Sequence, residues 1–86
     1  MPQISRFFGI IISMFYDEHL PPHFHATYNE YNAEIKISDF SIIEGKLPAR
    51  VLGLVVEWAT IHKVEIEENW KRIENMETLK KIDPLV

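Results

Sequence analysis

The chain has no cysteine, which excludes disulfides, thiolate catalysis and cysteine-based zinc or iron–sulfur sites. Glycine is also scarce, with three residues, and no glycine-rich phosphate loop or nucleophile elbow is present. Long apolar runs are absent as well: the stretch Ile10–Ile12 is too short to cross a bilayer, and no small-residue cleavage site follows it. We therefore expect a cytoplasmic protein in a reducing compartment.

Positive charge is sparse. Nine Lys and Arg residues stand against 13 Asp and Glu residues, for a formal net charge of −4, and they form no basic run. Non-specific nucleic-acid binding needs positive potential, so the composition disfavours such a partner. The 47% hydrophobic and 26% charged residues are typical of a globular protein, and 86 residues allow a single domain spanning residues 1–86.

The first half of the chain alternates between apolar and polar residues, which is typical of β-strands. The alternation is carried by β-branched and aromatic side chains over residues 4–16, and it recurs over 23–28 and 31–38. Asn29-Glu30, between the last two segments, fits a two-residue hairpin turn. The pattern predicts an antiparallel sheet of three to five strands over about residues 4–44.

A helical pattern follows, opened by Pro48 at a position where a missing N–H is tolerated. An apolar stripe at helical spacing runs through Leu52, Val55, Val56, Ala59, Ile66, Trp70 and Ile73. One helix over about 48–74 would be roughly 40 Å long, so we expect a bend near Lys63 or a protruding end. The predicted class is α+β, with this long C-terminal helix packed on one face of the sheet and a tail over 76–86.

The first half of the predicted helix carries a second apolar face, made of Val51, Leu54, Trp58 and Ile61. One helix cannot bury two faces on one small sheet. We therefore expect this face to bind a second copy of the chain or a partner protein. The C-terminal tail is the alternative cover within the chain itself.

Three of the four histidines and two carboxylates lie within nine positions, at Asp17, Glu18, His19, His23 and His25. Because side chains alternate across a strand, His23 and His25 project from the same face. The apolar pattern puts that face away from the helix, so we expect both imidazoles to be accessible. Such a density of histidine is not needed for packing.

Neighbouring strands should bring carboxylates to these histidines. A turn at Asn29-Glu30 places Glu34 opposite His25, and a symmetric preceding hairpin places Asp17 opposite His23. Imidazoles and carboxylates together bind divalent transition metals, and a carboxylate beside a histidine also supports acid–base catalysis. A third interpretation is a structural hairpin in which the histidines only make cross-strand contacts.

The candidate metal ligands are accordingly His23, His25, His19 and Asp17, and the candidate catalytic residues are His23, His25 and Asp17. The fourth histidine, His62, lies on the helical stripe and hence on the other side of the sheet. We expect it to be a hydrogen-bonded histidine at the edge of the core.

The chain resembles a small bacterial family catalogued as domain of unknown function 4160, through the segments ISRFFGIIISMFYDEHLPPHFHA, EGKLP, LVVEWATIH and NW. The most specific part runs from Asp17 to Ala26: two acidic residues, His, any residue, Pro-Pro-His-Phe-His and a small residue. Residue types of the family pattern also recur at Arg6, Glu57, Trp58, His62, Asn69 and Trp70. The resemblance implies a component of small two-gene modules, often beside a protein of the family called domain of unknown function 2442, an arrangement suggestive of a toxin–antitoxin pair.

Three functions follow as expectations. The first is an interaction protein of such a two-gene module, binding its operon partner or forming a homo-oligomer. The second is a metal- or histidine-dependent ribonuclease toxin, although the acidic charge weighs against a polyanionic substrate. The third is a small domain that binds a divalent transition metal.

Overall fold

A computed structural model, which describes residues 2–16 and 19–86, shows a five-stranded antiparallel sheet followed by two helices. The strands pair in chain order: β1 (Gln3–Phe7), β2 (Ile10–Ser13), β3 (His23–Tyr28), β4 (Tyr31–Lys36) and β5 (Ile42–Lys46). The helices are α1 (Ala49–Ile61) and α2 (Lys63–Glu74). The α+β class is confirmed, with a sheet at the upper end of the predicted strand number.

The β3–β4 hairpin has the predicted register. Tyr28 pairs with Tyr31, so Asn29 and the residue after it form a two-residue turn. Asn29 has φ of 52°, in the left-handed region that such turns require and that asparagine tolerates better than most residues. This register places Glu34 directly opposite His25.

The hairpin before it is not symmetric. Ser13 lies opposite His25, where a symmetric hairpin would place Phe15, and β2 already ends at Ser13. The expected pairing of Asp17 with His23 lies outside the described residues. The rings of Phe15 and His25 nevertheless touch edge to face, with their centroids 4.8 Å apart.

The prediction of one long helix is wrong, because the helical run breaks at His62, next to the bend that was expected near Lys63. This residue has φ of −110° and ψ of 24°, which is not helical, and α2 begins at the next residue. An unbroken run would be roughly 40 Å long, whereas the longest dimension of the molecule is 34 Å. The break lets both helices bury apolar side chains against the sheet, including Val55 from α1 and Ile66 from α2. Among the described residues, no helix is long and apolar enough to span a membrane.

The core lies between the helices and the inner face of the sheet. Trp58 of α1 is its largest fully buried side chain, and its ring lies 5.5 Å from that of Phe7 and 6.0 Å from that of Phe24. Ile35 of β4 faces the same core and is also fully buried. The polar side chains of β3 and β4 are therefore left on the outer face.

The C-terminal tail packs back onto the helices and β1. The indole Nε1 of Trp58 donates to the carbonyl of Asp83 at 2.8 Å. The amide of Asn69 donates to the carbonyl of Lys80 at 2.9 Å and accepts from the Lys80 N–H at 3.0 Å. Ile82 is buried. The tail is thus held in place by hydrogen bonds to its backbone and by apolar contacts, since Leu79 and Leu85 also pack against the core.

This packing divides the four residues of the expected partner interface. Val51 and Trp58 are buried within their own chain, where the tail covers Trp58. Leu54 is half-buried, and Ile61 is 63% exposed. Binding of a partner through Leu54 and Ile61 stays a prediction.

Candidate metal centre

His19, in the connection between β2 and β3, packs against the first residue of β3. Its ring stacks on that of His23, with ring centroids 4.9 Å apart and an interplanar angle of 25°. Trp70 of α2 approaches His23 as well, at 5.7 Å between ring centroids. His23 is consequently 1% exposed. The expectation of two accessible imidazoles is wrong for His23, whereas His25 is half-buried.

Backbone carbonyls orient both rings of the stacked pair. The Nδ1 atom of His23 lies 2.8 Å from the carbonyl oxygen of Pro21, and Nδ1 of His19 lies 3.2 Å from that of Leu20. A carbonyl oxygen can only accept, so each Nδ1 carries the hydrogen and donates it. In the neutral imidazole, the lone pair then resides on Nε2.

Both Nε2 atoms lie near one carboxylate oxygen of Glu34, a residue of β4. The distance to Glu34 Oε1 is 3.5 Å from His23 and 3.6 Å from His19. One potential ligand atom from each of the three residues lies within 4.8 Å of the other two. Tetrahedral zinc ligands at 2.0–2.2 Å from the ion stand about 3.4 Å from one another, so the distances from Glu34 Oε1 to the two imidazoles are close to those between ligands of a bound ion.

The Glu34 carboxylate is poorly solvated where it approaches the two imidazoles. Its side chain is 18% exposed, and Oε1 itself is buried without a hydrogen-bond partner among the described residues. An ionised carboxylate only accepts hydrogen bonds, and a neutral imidazole presents a lone pair at Nε2. A cation between these atoms, or a proton on an imidazole, makes the contact attractive.

The expected ligands are thus only partly brought together. His19 and His23 belong to the cluster, but His25 does not, since the structure places its ring 5.3 Å from that of His23 and directs it toward a groove beside Glu34. Asp17 lies outside the described residues. Glu34 was predicted as the neighbour of His25 and was missed as a ligand candidate, because its carboxylate reaches diagonally to His23.

His62 stands apart from this cluster. Its Nδ1 atom lies 2.6 Å from Oε1 of Glu65, one turn along α2, and its ring packs 5.7 Å from that of Trp58. The expectation of a hydrogen-bonded histidine at the core edge agrees with this placement. His62 therefore offers a matched control for experiments on the other histidines.

Comparison with known proteins identifies the family of the chain. The family model described as Domain of unknown function (DUF4160) matches residues 9–71 of the 86-residue chain. No curated protein and no solved structure matches the chain. The matched span includes His19, His23 and Glu34. The chain therefore belongs to the DUF4160 family.

Proposed function

We propose that this chain is a small metal-binding domain in which His19, His23 and Glu34 hold one divalent transition-metal ion. The convergence of three potential ligand atoms within 4.8 Å carries the proposal. The hydrogen bonds from each Nδ1 to a backbone carbonyl support it, because metal-bound histidines usually donate their second ring N–H to such an acceptor.

The donor set also defines which ions fit. Two imidazole nitrogens and one carboxylate oxygen suit zinc, nickel, iron or copper, whereas magnesium and calcium prefer oxygen ligands throughout. Three protein ligands leave at least one coordination position for water or another molecule, as in catalytic zinc sites. Asp17 stays a predicted additional ligand.

A second role, as the interaction component of a two-gene module, follows from the family resemblance. It is favoured by exposed apolar side chains at the junction of the two helices, where Ile61 is 63% and Val64 is 67% exposed. The ribonuclease alternative draws no support from charge, since the chain carries a formal net charge of −4.

Calorimetric titration of chelator-treated protein tests the metal-binding proposal. We expect zinc and nickel to bind in a one-to-one ratio, and we expect magnesium, the control ion, not to compete. Binding no tighter than about millimolar, near −4 kcal/mol, would overturn the proposal. Equal affinity for magnesium would show that the site is an ordinary acidic surface.

A further inference from the structure

A small groove lies on the outer face of the sheet beside the candidate metal centre. Its volume is about 260 Å³, and its lining consists of His25, Asn32, Ala33, Glu34, Glu44 and Gly45. Glu34 belongs both to this groove and to the group of potential metal ligands. A molecule in the groove would therefore lie next to an ion held by Glu34.

The charges in the groove are unbalanced. Glu34 and Glu44 pair directly across β4 and β5, and like charges placed directly opposite one another destabilise a sheet. A metal ion on Glu34 would compensate one carboxylate only. Glu44 forms no ion pair with any residue that the structure describes, including Lys46 two positions along its own strand.

The other lining residues of the groove limit the charge and the size of the ligand that it can bind. Among the residues that the structure describes, no lysine or arginine lines the groove, and these residues offer no ion-pair partner to a second carboxylate. Asn32 supplies an uncharged amide that can both donate and accept hydrogen bonds. The volume is below the usual range for drug-sized ligands, about 300–1,000 Å³, which favours a small molecule.

We propose that the groove is the ligand-binding side of the metal centre and that it takes a small zwitterionic molecule. A carboxylate of the ligand occupies the open coordination position of the ion, and an ammonium group a few ångströms away pairs with Glu44. This inference rests on the proposed metal-binding function. It assigns to Glu44 a role in ligand selection that is separate from holding the ion.

Cobalt-loaded protein and three matched probes test this inference. The probes are 4-aminobutyrate, butyrate, which lacks the ammonium group, and glutarate, which carries a second carboxylate in its place. Each is titrated while the visible absorption of the bound cobalt is recorded. We expect 4-aminobutyrate to bind about tenfold more tightly than butyrate, because it gains a charge-assisted hydrogen bond, and we expect glutarate to bind most weakly.

Two variants separate the role of Glu44 from general surface charge. Glu44→Gln should remove the preference for 4-aminobutyrate over butyrate at saturating cobalt. Glu30→Gln, which changes an exposed carboxylate in the β3–β4 turn, should retain that preference. A preference that survives Glu44→Gln would overturn the assigned role of this residue.

The outcomes also distinguish this inference from the proposal on which it rests. A cobalt spectrum that does not respond to any probe, or that gives equal affinities for all three, would overturn the groove as a zwitterion site and leave the metal centre standing. Absence of any protein-bound cobalt absorption would overturn both.

Discussion

The Nε2 atom of His23 lies 3.5 Å from Oε1 of Glu34, inside the protein, while Nδ1 of the same ring is engaged by the Pro21 carbonyl. When His23 is neutral, this arrangement brings two hydrogen-bond acceptors face to face. Buried polar groups in such an arrangement destabilise a fold, and either a proton on the imidazole or a metal ion between the two atoms makes the contact attractive. This relationship gives metal binding a direct link to the stability of the domain.

Removal of the metal should therefore lower the free energy of unfolding. With free zinc at 100 times its dissociation constant, an ion that binds only the folded state adds about 2.7 kcal/mol. Urea unfolding of zinc-saturated and chelator-treated protein measures the difference, with magnesium addition as the control. Coincident unfolding curves would contradict the prediction.

Substitution of the ligand residues should weaken zinc binding selectively. Glu34→Gln keeps the shape of the side chain and removes its charge, so we expect the dissociation constant to rise by about tenfold or more, as for loss of one charged partner. His19→Ala should act in the same direction. His62→Ala, which alters a histidine paired with Glu65, should leave zinc affinity unchanged. Equal losses in the Glu34 and His62 variants, measured by calorimetry, would show that the effect is not specific to the site.

The packing of the C-terminal tail on the helices should depend on Asn69, whose side chain makes two hydrogen bonds with the backbone of Lys80. Asn69→Ala leaves those backbone groups without their partner, and we expect it to lower the free energy of unfolding by about 1–3 kcal/mol. Glu68→Ala, at an exposed neighbouring position, is the matched control. If urea unfolding gives equal values for the two variants, the tail is not held by this contact.

Shortening an apolar side chain on the inner face of β4 should destabilise the protein. Ile35 is fully buried, so Ile35→Ala should lower the free energy of unfolding by about 2–5 kcal/mol. The neighbouring Lys36 projects to the outer face, and Lys36→Ala should have little effect. Similar thermal shifts in both variants would contradict the register of the sheet.

Self-association, if it uses the helix junction, should depend on Ile61. Ile61→Lys places a charge in the exposed apolar surface, and we expect it to shift the sedimentation coefficient toward that of a monomer. Thr60→Lys, at the adjacent exposed position, is the control. An oligomer that persists unchanged in Ile61→Lys would exclude this surface as the interface.

Local sequence patterns predicted the parts of this fold that depend on neighbours along the chain. The alternation on either side of Asn29 predicted the β3–β4 register. With a two-residue turn, only one register of the two strands keeps the apolar side chains of both on the same face of the sheet. The break at His62 has no proline or glycine to mark it, and only the length of the helical run relative to a small domain pointed to it.

The candidate site was harder to predict, because it depends on where His19, outside the strands, lies relative to the sheet. Periodicity showed that His23 and His25 share a face, but it could not show that His19 folds back to cover one of them. Glu34 was found as the cross-strand neighbour of His25, yet its carboxylate lies beside His23. Long side chains reach diagonal neighbours, so ladder pairing alone does not identify which polar atoms meet.

The most direct test of the metal centre is the 15N NMR signal of the histidine side chains during zinc titration. The account predicts that the Nε2 resonances of His19 and His23 shift together and saturate at one zinc per chain, while both ring nitrogens of His62 stay unchanged. Unchanged Nε2 resonances at His19 and His23, or an equal response at His62, would contradict it.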